Sequence, residues 1–262
     1  QHIREKRPLP KRTAIITFDD GYKDVYIYAY PILKKYNVPA TIFLTTGHIG
    51  TGNLFWWDKI GYLLWNTKLK RIELDDLGTI PLDQVDDRLQ SISKISEHLI
   101  KKVTEEKKNK LIEKLVKESG VDIPPDLGKE IILSWHEVKE MNDNGIDFGA
   151  HTVTHPILTR VSSKQARAEI TQSKREIERR LDQPVTTFSY PNGSVGDFDG
   201  EITNLLKESG FACAVTTIPR LNTPKTDLYG LGRVTPGCDF GSFKFFVSGL
   251  YPDLVKVTNI FR

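Results

Sequence analysis

Short apolar runs alternate with loops and amphipathic segments along the whole 262-residue chain, which predicts an α/β fold built on a parallel barrel or an open sheet. Three observations carry that prediction. Ala14-Ile15-Ile16-Thr17-Phe18 and Ala40-Thr41-Ile42-Phe43-Leu44 are apolar, β-branched runs without solvent-facing alternation, the pattern of buried parallel strands. Between them, Val25, Tyr28, Ala29, Ile32 and Leu33 share one face of a helix over Tyr26 to Tyr36, so the first sixty residues spell a βαβ unit. The same alternation resumes after residue 130.

The elements follow in order. Residues 1–12 are polar and basic and read as an arm into the first strand. Pro31 marks a bend or a late start in the first helix, and Asn37-Val38-Pro39 ends it. A glycine-rich loop, Thr45 to Gly50, leaves the second strand, and the composition then changes. Leu54-Phe55-Trp56-Trp57-Asp58 holds two of the four tryptophans. From Asp83 to Ser119 the chain is charged, with Leu89, Ile92, Ile95, Leu99 and Val103, then Leu111, Leu115 and Val116, at helical spacing. The organisation expected is therefore a single domain over 1–262 with a mainly helical insertion at about 51–130, closed by Pro124-Pro125. Beyond it, Ser134 and Glu137 form the capping box of a helix that Asn144-Gly145 stops. Strands are expected at Ile146–Ala150, Val185–Ser189, Phe211–Val215 and Leu228–Val234. Helices are expected from Ser162 or Ser163 to Leu181, at Asp199–Ser209 and at Ser242–Leu250.

Composition removes some classes of function. A net charge of +3, with basic residues interleaved with acids, gives no nucleic-acid footprint. No run of 18 apolar residues exists, so no membrane span is expected. No signal peptide is visible, and Gln1 at the start reads as a mature or trimmed form. Cys213 lies in an apolar run and reads as a buried free thiol; its pairing with Cys238 depends on the fold.

Two clusters carry chemistry. Asp19-Asp20-Gly21 sets adjacent carboxylates where the first strand leaves the core, the place where α/β folds put their reactive groups. His151 and His155 follow another strand at a spacing that lets both imidazoles reach one cation. The pattern is not the metalloprotease His-Glu-x-x-His, because Thr152 stands second. One carboxylate with two imidazoles makes a three-ligand site that leaves a position for water. The other carboxylate is then free to take a proton.

Thr17-Phe18-Asp19-Asp20-Gly21 and His151-Thr152-x-x-His155 resemble the first two motifs of the polysaccharide deacetylases, the NodB-homology or carbohydrate esterase family 4 group. The resemblance covers most of the chain outside 51–130. It implies a distorted (β/α) barrel and a hydrolase that removes N-acetyl groups from amino sugars. It also implies a divalent metal, usually Zn2+, with Co2+ or Ni2+ as alternatives. By the same resemblance Asp19 is the general base, and Asp20, His151 and His155 are the metal ligands. Ser189-Tyr190-Pro191-Asn192-Gly193 is similar to the third motif in the form seen in exopolysaccharide-associated deacetylases. It gives Asn192 an oxyanion role through its N–H, places Tyr190 beside the substrate, and puts Ser189 where the family has an arginine. Leu231-Gly232-Arg233 matches the last motif, with Arg233 in place of the acid histidine. Arg233 is expected to steady an anionic transition state or to pair with Asp19. The acid role then falls to His48 or to Asp19 itself. Trp57, with Trp56 and Asp58, is expected to wall the site for a stacked sugar or to anchor the insertion.

The partner implied is an N-acetylated polysaccharide or oligosaccharide. The resemblance favours an extracellular or cell-envelope location, while the lack of a visible signal peptide leaves the cytoplasm as the alternative. Competing readings are an amide hydrolase acting on a non-glycan or peptidoglycan substrate, and a catalytically weak carbohydrate-binding module. A metal-free glycosidase would leave the histidine spacing unexplained.

Overall fold

A computed structural model of the chain describes residues 2–8, 10, 13–236 and 239–247. It opens with strand β1 (Ile16–Phe18), then a π-helical turn (Val25–Ala29) that runs into α1 (Tyr30–Tyr36), then β2 (Ala40–Leu44). Next come α2 (Trp56–Asn66), β3 (Arg71–Leu74), β4 (Gly78–Pro81), α3 (Val85–Lys102), α4 (Glu105–Ser119) and α5 (Leu127–Ile131). The chain continues through α6 (Trp135–Asp143), β5 (Asp147–Ala150), α7 (Ser163–Leu181) and β6 (Thr187–Ser189). It finishes with α8 (Gly200–Glu208), β7 (Cys213–Val215) and α9 (Phe240–Val247). The chain divides into two compact units, one of Gln1–Gly21, Val25–Gly47 and His136–Arg262, the other of Tyr22–Asp24 and His48–Trp135.

The first unit is built on an all-parallel sheet in the order β1-β2-β5-β6-β7, curled as a half-barrel of the NodB type. Register decides where its chemistry falls. Phe18 pairs with Ile42, Leu44 with Ala150, Ala150 with Phe188, and Ser189 with Val215. The carboxyl ends of β1, β5, β6 and β7 therefore open toward the same edge of the sheet. Helix α7 starts from Ser162, whose hydroxyl caps the Gln165 N–H, and buries Ala166, Ile170, Ser173 and Ile177 on one face. Asp199 caps α8 in the same way through the Ile202 N–H.

Two sequence expectations change here, and the late start allowed for the first helix is the one observed. The first strand is shorter than Ala14–Phe18 and is not buried: β1 pairs with β2 alone among the described strands, and Ile15 is 78% exposed. A strand at the edge of a sheet keeps one side open, so an apolar sequence alone does not bury it. The first helix starts late in regular form, because Pro31 offers no N–H to the previous turn and sits at the first positions of α1, after the π-helical turn. Instead of a strand over Leu228–Val234, a 3₁₀ turn at Leu228–Gly230 leads to a parallel bridge between Leu231 and Val215. The last helix is described only to Val247; Ser248, Gly249 and Leu250 lie outside the described residues, as does Cys238.

The second unit has its own core. Ile60, Leu63 and Leu64 of α2 pack with Ile95 and Leu99 of α3, Leu115 of α4, and Ile72, Leu74 and Ile80 of a hairpin. That antiparallel pair, β3 with β4, stands within a stretch expected to be mainly helical. Its cue is the alternation Ile72, Leu74 and Ile80, Leu82 about the Asp75-Asp76-Leu77-Gly78 turn.

Gly149 of β5 shows how closely the sheet is packed under the site. A methyl group there would stand 2.5 Å from the Phe43 ring and 2.6 Å from Thr187 Oγ1. Phe43 is fully buried and cannot swing aside. Gly149→Ala is expected to destabilise the fold by about 1–3 kcal/mol, measured by urea or thermal unfolding; an unchanged midpoint would show that the sheet relaxes there.

Candidate active site

At the carboxyl end of β1 the chain turns sharply. Asp20 adopts φ 72° and Gly21 φ 90°, and the Gly21 N–H donates to the Asp19 carbonyl at 2.9 Å. A left-handed conformation is open to aspartate and glycine at small cost, so Asp-Asp-Gly lets the two side chains diverge. Asp20 faces the histidines and Asp19 faces Arg233.

Asp20 Oδ1 lies 3.4 Å from His151 Nε2 and 3.4 Å from His155 Nε2. Neither contact has the geometry of a hydrogen bond. The oxygen is buried and has no hydrogen-bond partner among the described residues. The three donor atoms lie within 4.8 Å of one another. An orphaned buried carboxylate oxygen converging with two imidazole nitrogens is an arrangement that a divalent cation satisfies. His151 Nδ1 lies 2.7 Å from the Ser189 carbonyl, which can only accept, so a hydrogen resides on Nδ1 and Nε2 is the nitrogen left to face Asp20.

Electrostatics follow from this packing. Burial pushes the Asp20 carboxyl up, but His151 and His155 outweigh it and hold it below the usual range. Burial drives the His151 imidazole down, yet the two aspartates prevail and raise it. His155 is pulled down to about 3, by burial first and by the charge of His151 second. It is thus in the neutral form that a metal requires.

Asp19 is gripped from the far end of the chain. Arg233 Nη1 donates to Asp19 Oδ1 at 2.7 Å and Nη2 to Oδ2 at 2.6 Å, a bidentate pair. Ser189 Oγ donates to Asp19 Oδ2 at 3.2 Å and accepts from Arg233 Nη2 at 3.0 Å. Burial raises the Asp19 carboxyl, while His151, Arg233 and Ser189 together hold it below its ordinary value. Of the two expectations for Arg233, the structure therefore has the one in which it pairs with Asp19. The guanidinium missing from position 189 is supplied by position 233, with the serine hydroxyl between guanidinium and carboxylate.

The other expected site residues are placed as follows. Tyr190 is a core side chain, 0% exposed, stacked on Phe198 at 4.3 Å, with its hydroxyl donating to the Tyr229 carbonyl at 2.8 Å. This corrects the expectation that it contacts substrate: an aromatic ring with its one polar atom satisfied is most stable in the core. Asn192 sits at φ 61°, its side-chain amide bonded to the Asp197 carboxylate, and among the described residues no acceptor takes its backbone N–H. Asp197, buried, also accepts the Ser194 N–H at 2.8 Å and so fixes this turn. Trp57 and His48 belong to the second unit. There the Trp57 indole N–H donates to the Tyr22 hydroxyl at 2.6 Å, and Phe55 is stacked on Trp57 at 4.5 Å and on His48 at 4.0 Å.

The sequence profile of the polysaccharide deacetylases matches residues 6–214. The chain belongs to this family. The profile ends before Arg233, so the residue that grips Asp19 lies outside the matched span. The Bacillus subtilis (strain 168) protein YxkH is 25% identical over 249 residues, covering 94% of this chain and 60% of that protein. A poly-beta-1,6-N-acetyl-D-glucosamine N-deacetylase of Staphylococcus aureus (strain N315) is 50% identical over 52 residues, 20% of this chain and 18% of that enzyme. The chain thus spans less than two thirds of either relative. Among solved structures, the Streptococcus pyogenes deacetylase PplD in complex with acetate superposes with a TM-score of 0.54 at 21% identity, covering 89% of this chain and 68% of that one. IcaB from Ammonifex degensii gives a TM-score of 0.54 at 17% identity, covering 91% and 74%. Both share the deacetylase fold.

A proton and a cation compete for His151 Nε2, and the raised imidazole pKa places that competition above the ordinary histidine value. Zn2+ affinity in chelator-buffered titrations is therefore expected to rise from pH 6 to pH 8 with proton release, and to collapse in His151→Ala. A flat pH profile would remove His151 from the ligand set.

Proposed function

We propose that this chain is a metal-dependent glycan N-deacetylase, a hydrolase of amide C–N bonds that releases acetate from N-acetylated amino sugars in a polysaccharide. The observation that carries the reading is the convergence of Asp20 Oδ1, His151 Nε2 and His155 Nε2 beside a second carboxylate held by Arg233. A binding module has no need of that second carboxylate, locked at both oxygens next to a cation site. The 52-residue match to the staphylococcal enzyme favours a polymer of N-acetylglucosamine as substrate. An extracellular or envelope location is the one that the family resemblance favours. Among the described residues no helix is long and apolar enough to cross a membrane.

Asp20, His151 and His155 are the residues that would hold the metal, and a donor set of two imidazoles and one carboxylate favours Zn2+. A divalent cation there supplies a Lewis acid that polarises the acetyl carbonyl and makes water a stronger acid. Asp19 takes the proton of the attacking water. A carboxylate has about four lone-pair sites, so the fork from Arg233 and the Ser189 hydroxyl leave Asp19 Oδ1 able to accept one more hydrogen. The same grip makes protonated Asp19 a strong acid. It returns its proton to the departing amine nitrogen as the C–N bond breaks, so one carboxyl serves both transfers. Arg233 acts by positioning Asp19. The Asn192 N–H is the donor we assign to the developing oxyanion.

Acetate release from N-acetylglucosamine oligomers, with and without chelator, tests the function. Asp19→Asn is expected to lose at least about 10²-fold in turnover with metal stoichiometry unchanged. Arg233→Lys keeps the charge but loses the fork, and is expected to fall by about 10²-fold with metal retained. Full activity in Asp19→Asn would sink the base assignment. Glycan binding without acetate release by the wild-type chain would favour the binding module.

A further inference from the structure

Helix α7 carries an anomaly on its buried face. Ala166, Ile170, Ser173, Ile177 and Leu181 point into the first unit at helical spacing, and Glu169 stands in the same stripe, 7% exposed. A carboxylate in such a place is stable only when its oxygens are taken up. All its acceptor contacts go to one short loop. Glu169 Oε2 accepts the Val153 N–H at 2.7 Å and the Thr154 N–H at 2.9 Å, and Oε1 accepts the Thr154 hydroxyl at 2.6 Å. Among the described residues those three donors are its only polar partners.

The loop so held is the one between the two imidazoles, and its backbone is unusual. Thr152 has φ 68° and His155 φ 60°. For a β-branched threonine this is a strained conformation, which persists only where the surroundings enforce it. The Thr152 hydroxyl accepts the His155 N–H at 3.0 Å from within the loop. On one flank the Thr46 and Gly47 N–H groups bind the carbonyls of Thr152 and Val153 at 3.1 and 2.8 Å. Glu169 supplies the grip from the helix, on the N–H groups that those contacts leave over.

We propose that Glu169 is a positioning residue for the metal centre: through Val153 and Thr154 it holds the His151–His155 loop in the form in which both imidazoles face Asp20. The proposal rests on the reading of Asp20, His151 and His155 as metal ligands. Glu169 touches neither metal nor substrate. Its contribution is to cancel the conformational cost that would otherwise be subtracted from metal affinity.

The test is a chelator-buffered Zn2+ titration of the full chain, with folding checked by circular dichroism and His151→Ala as reference. Glu169→Ala is expected to weaken Zn2+ binding by about 10- to 100-fold in folded protein, as outer-shell partners of metal ligands do. Glu169→Gln is expected to recover most of the affinity. Its amide oxygen can accept both N–H groups while its NH2 donates to the Thr154 hydroxyl. A purely structural role would lower the melting temperature of Glu169→Ala and leave the Zn2+ affinity of the folded protein alone. That result, with metal lost in His151→Ala, overturns the proposal and spares the metal reading. Wild-type affinity in His151→Ala overturns both. Equal loss in the Ala and Gln variants overturns positioning by hydrogen bonds. Should Glu169→Ala fail to fold, Glu169→Asp decides: one methylene shorter, it is expected to weaken Zn2+ binding, and unchanged affinity overturns the proposal.

Discussion

The half-buried pair between Asp19 and Arg233 is the contact on which the candidate site depends. It joins residues 214 apart in sequence and binds at both oxygens of the carboxylate. Adjacent carboxylates such as Asp19 and Asp20 repel, and both are driven toward protonation by burial. Asp19 has the Arg233 guanidinium as its countercharge, whereas Asp20 converges with the two imidazoles on the candidate cation position. The sheet register makes this division geometrically available. Arg233 arrives because Leu231 bridges to Val215 at the end of β7, while His151 leaves β5 just past Ala150.

Order around the imidazoles comes from a different source. The His151–His155 loop holds two non-glycine residues in the left-handed region, and its polar groups are taken up by Thr46, Gly47, Thr152 and Glu169. The Ser189 carbonyl then fixes the His151 ring itself. Ser189 thereby serves both halves of the candidate site, with its carbonyl on the His151 ring and its hydroxyl on the Asp19 carboxylate. That double use rationalises a small residue at a position where a long one would be needed if Arg233 were absent.

Much of this was legible in the sequence because it is local. A buried-type run ending in Asp-Asp-Gly, and two histidines four apart after another such run, single out within a few residues each the side chains that converge in the structure. The parallel α/β class follows from strand and helix alternation. What escaped is what is decided at a distance. Nothing near Arg233 says that it meets Asp19. The carboxylate of Glu169 looks like any charged helix residue until the burial of its neighbours shows which face it shares, although the spacing from Ala166 to Ile177 held that cue. The motif around Tyr190 speaks for a backbone turn, while the burial of its side chain is set by Phe198 and Tyr229, far from it in sequence or on the other side of the turn. The β3–β4 hairpin was lost in a stretch whose charged helices dominate the periodicity.

The span between Asp19 and Arg233 also has a kinetic meaning. Contacts of long sequence separation form late, since the loop they close must first be ordered by others. During synthesis Asp19 and Asp20 emerge early, whereas Arg233 follows only after the strands β2, β5, β6 and β7 have been made. Until then the Asp19 carboxylate is without its guanidinium partner. A chain interrupted before residue 233 would carry Asp19, Asp20, His151 and His155 yet lack the guanidinium that grips the Asp19 carboxylate.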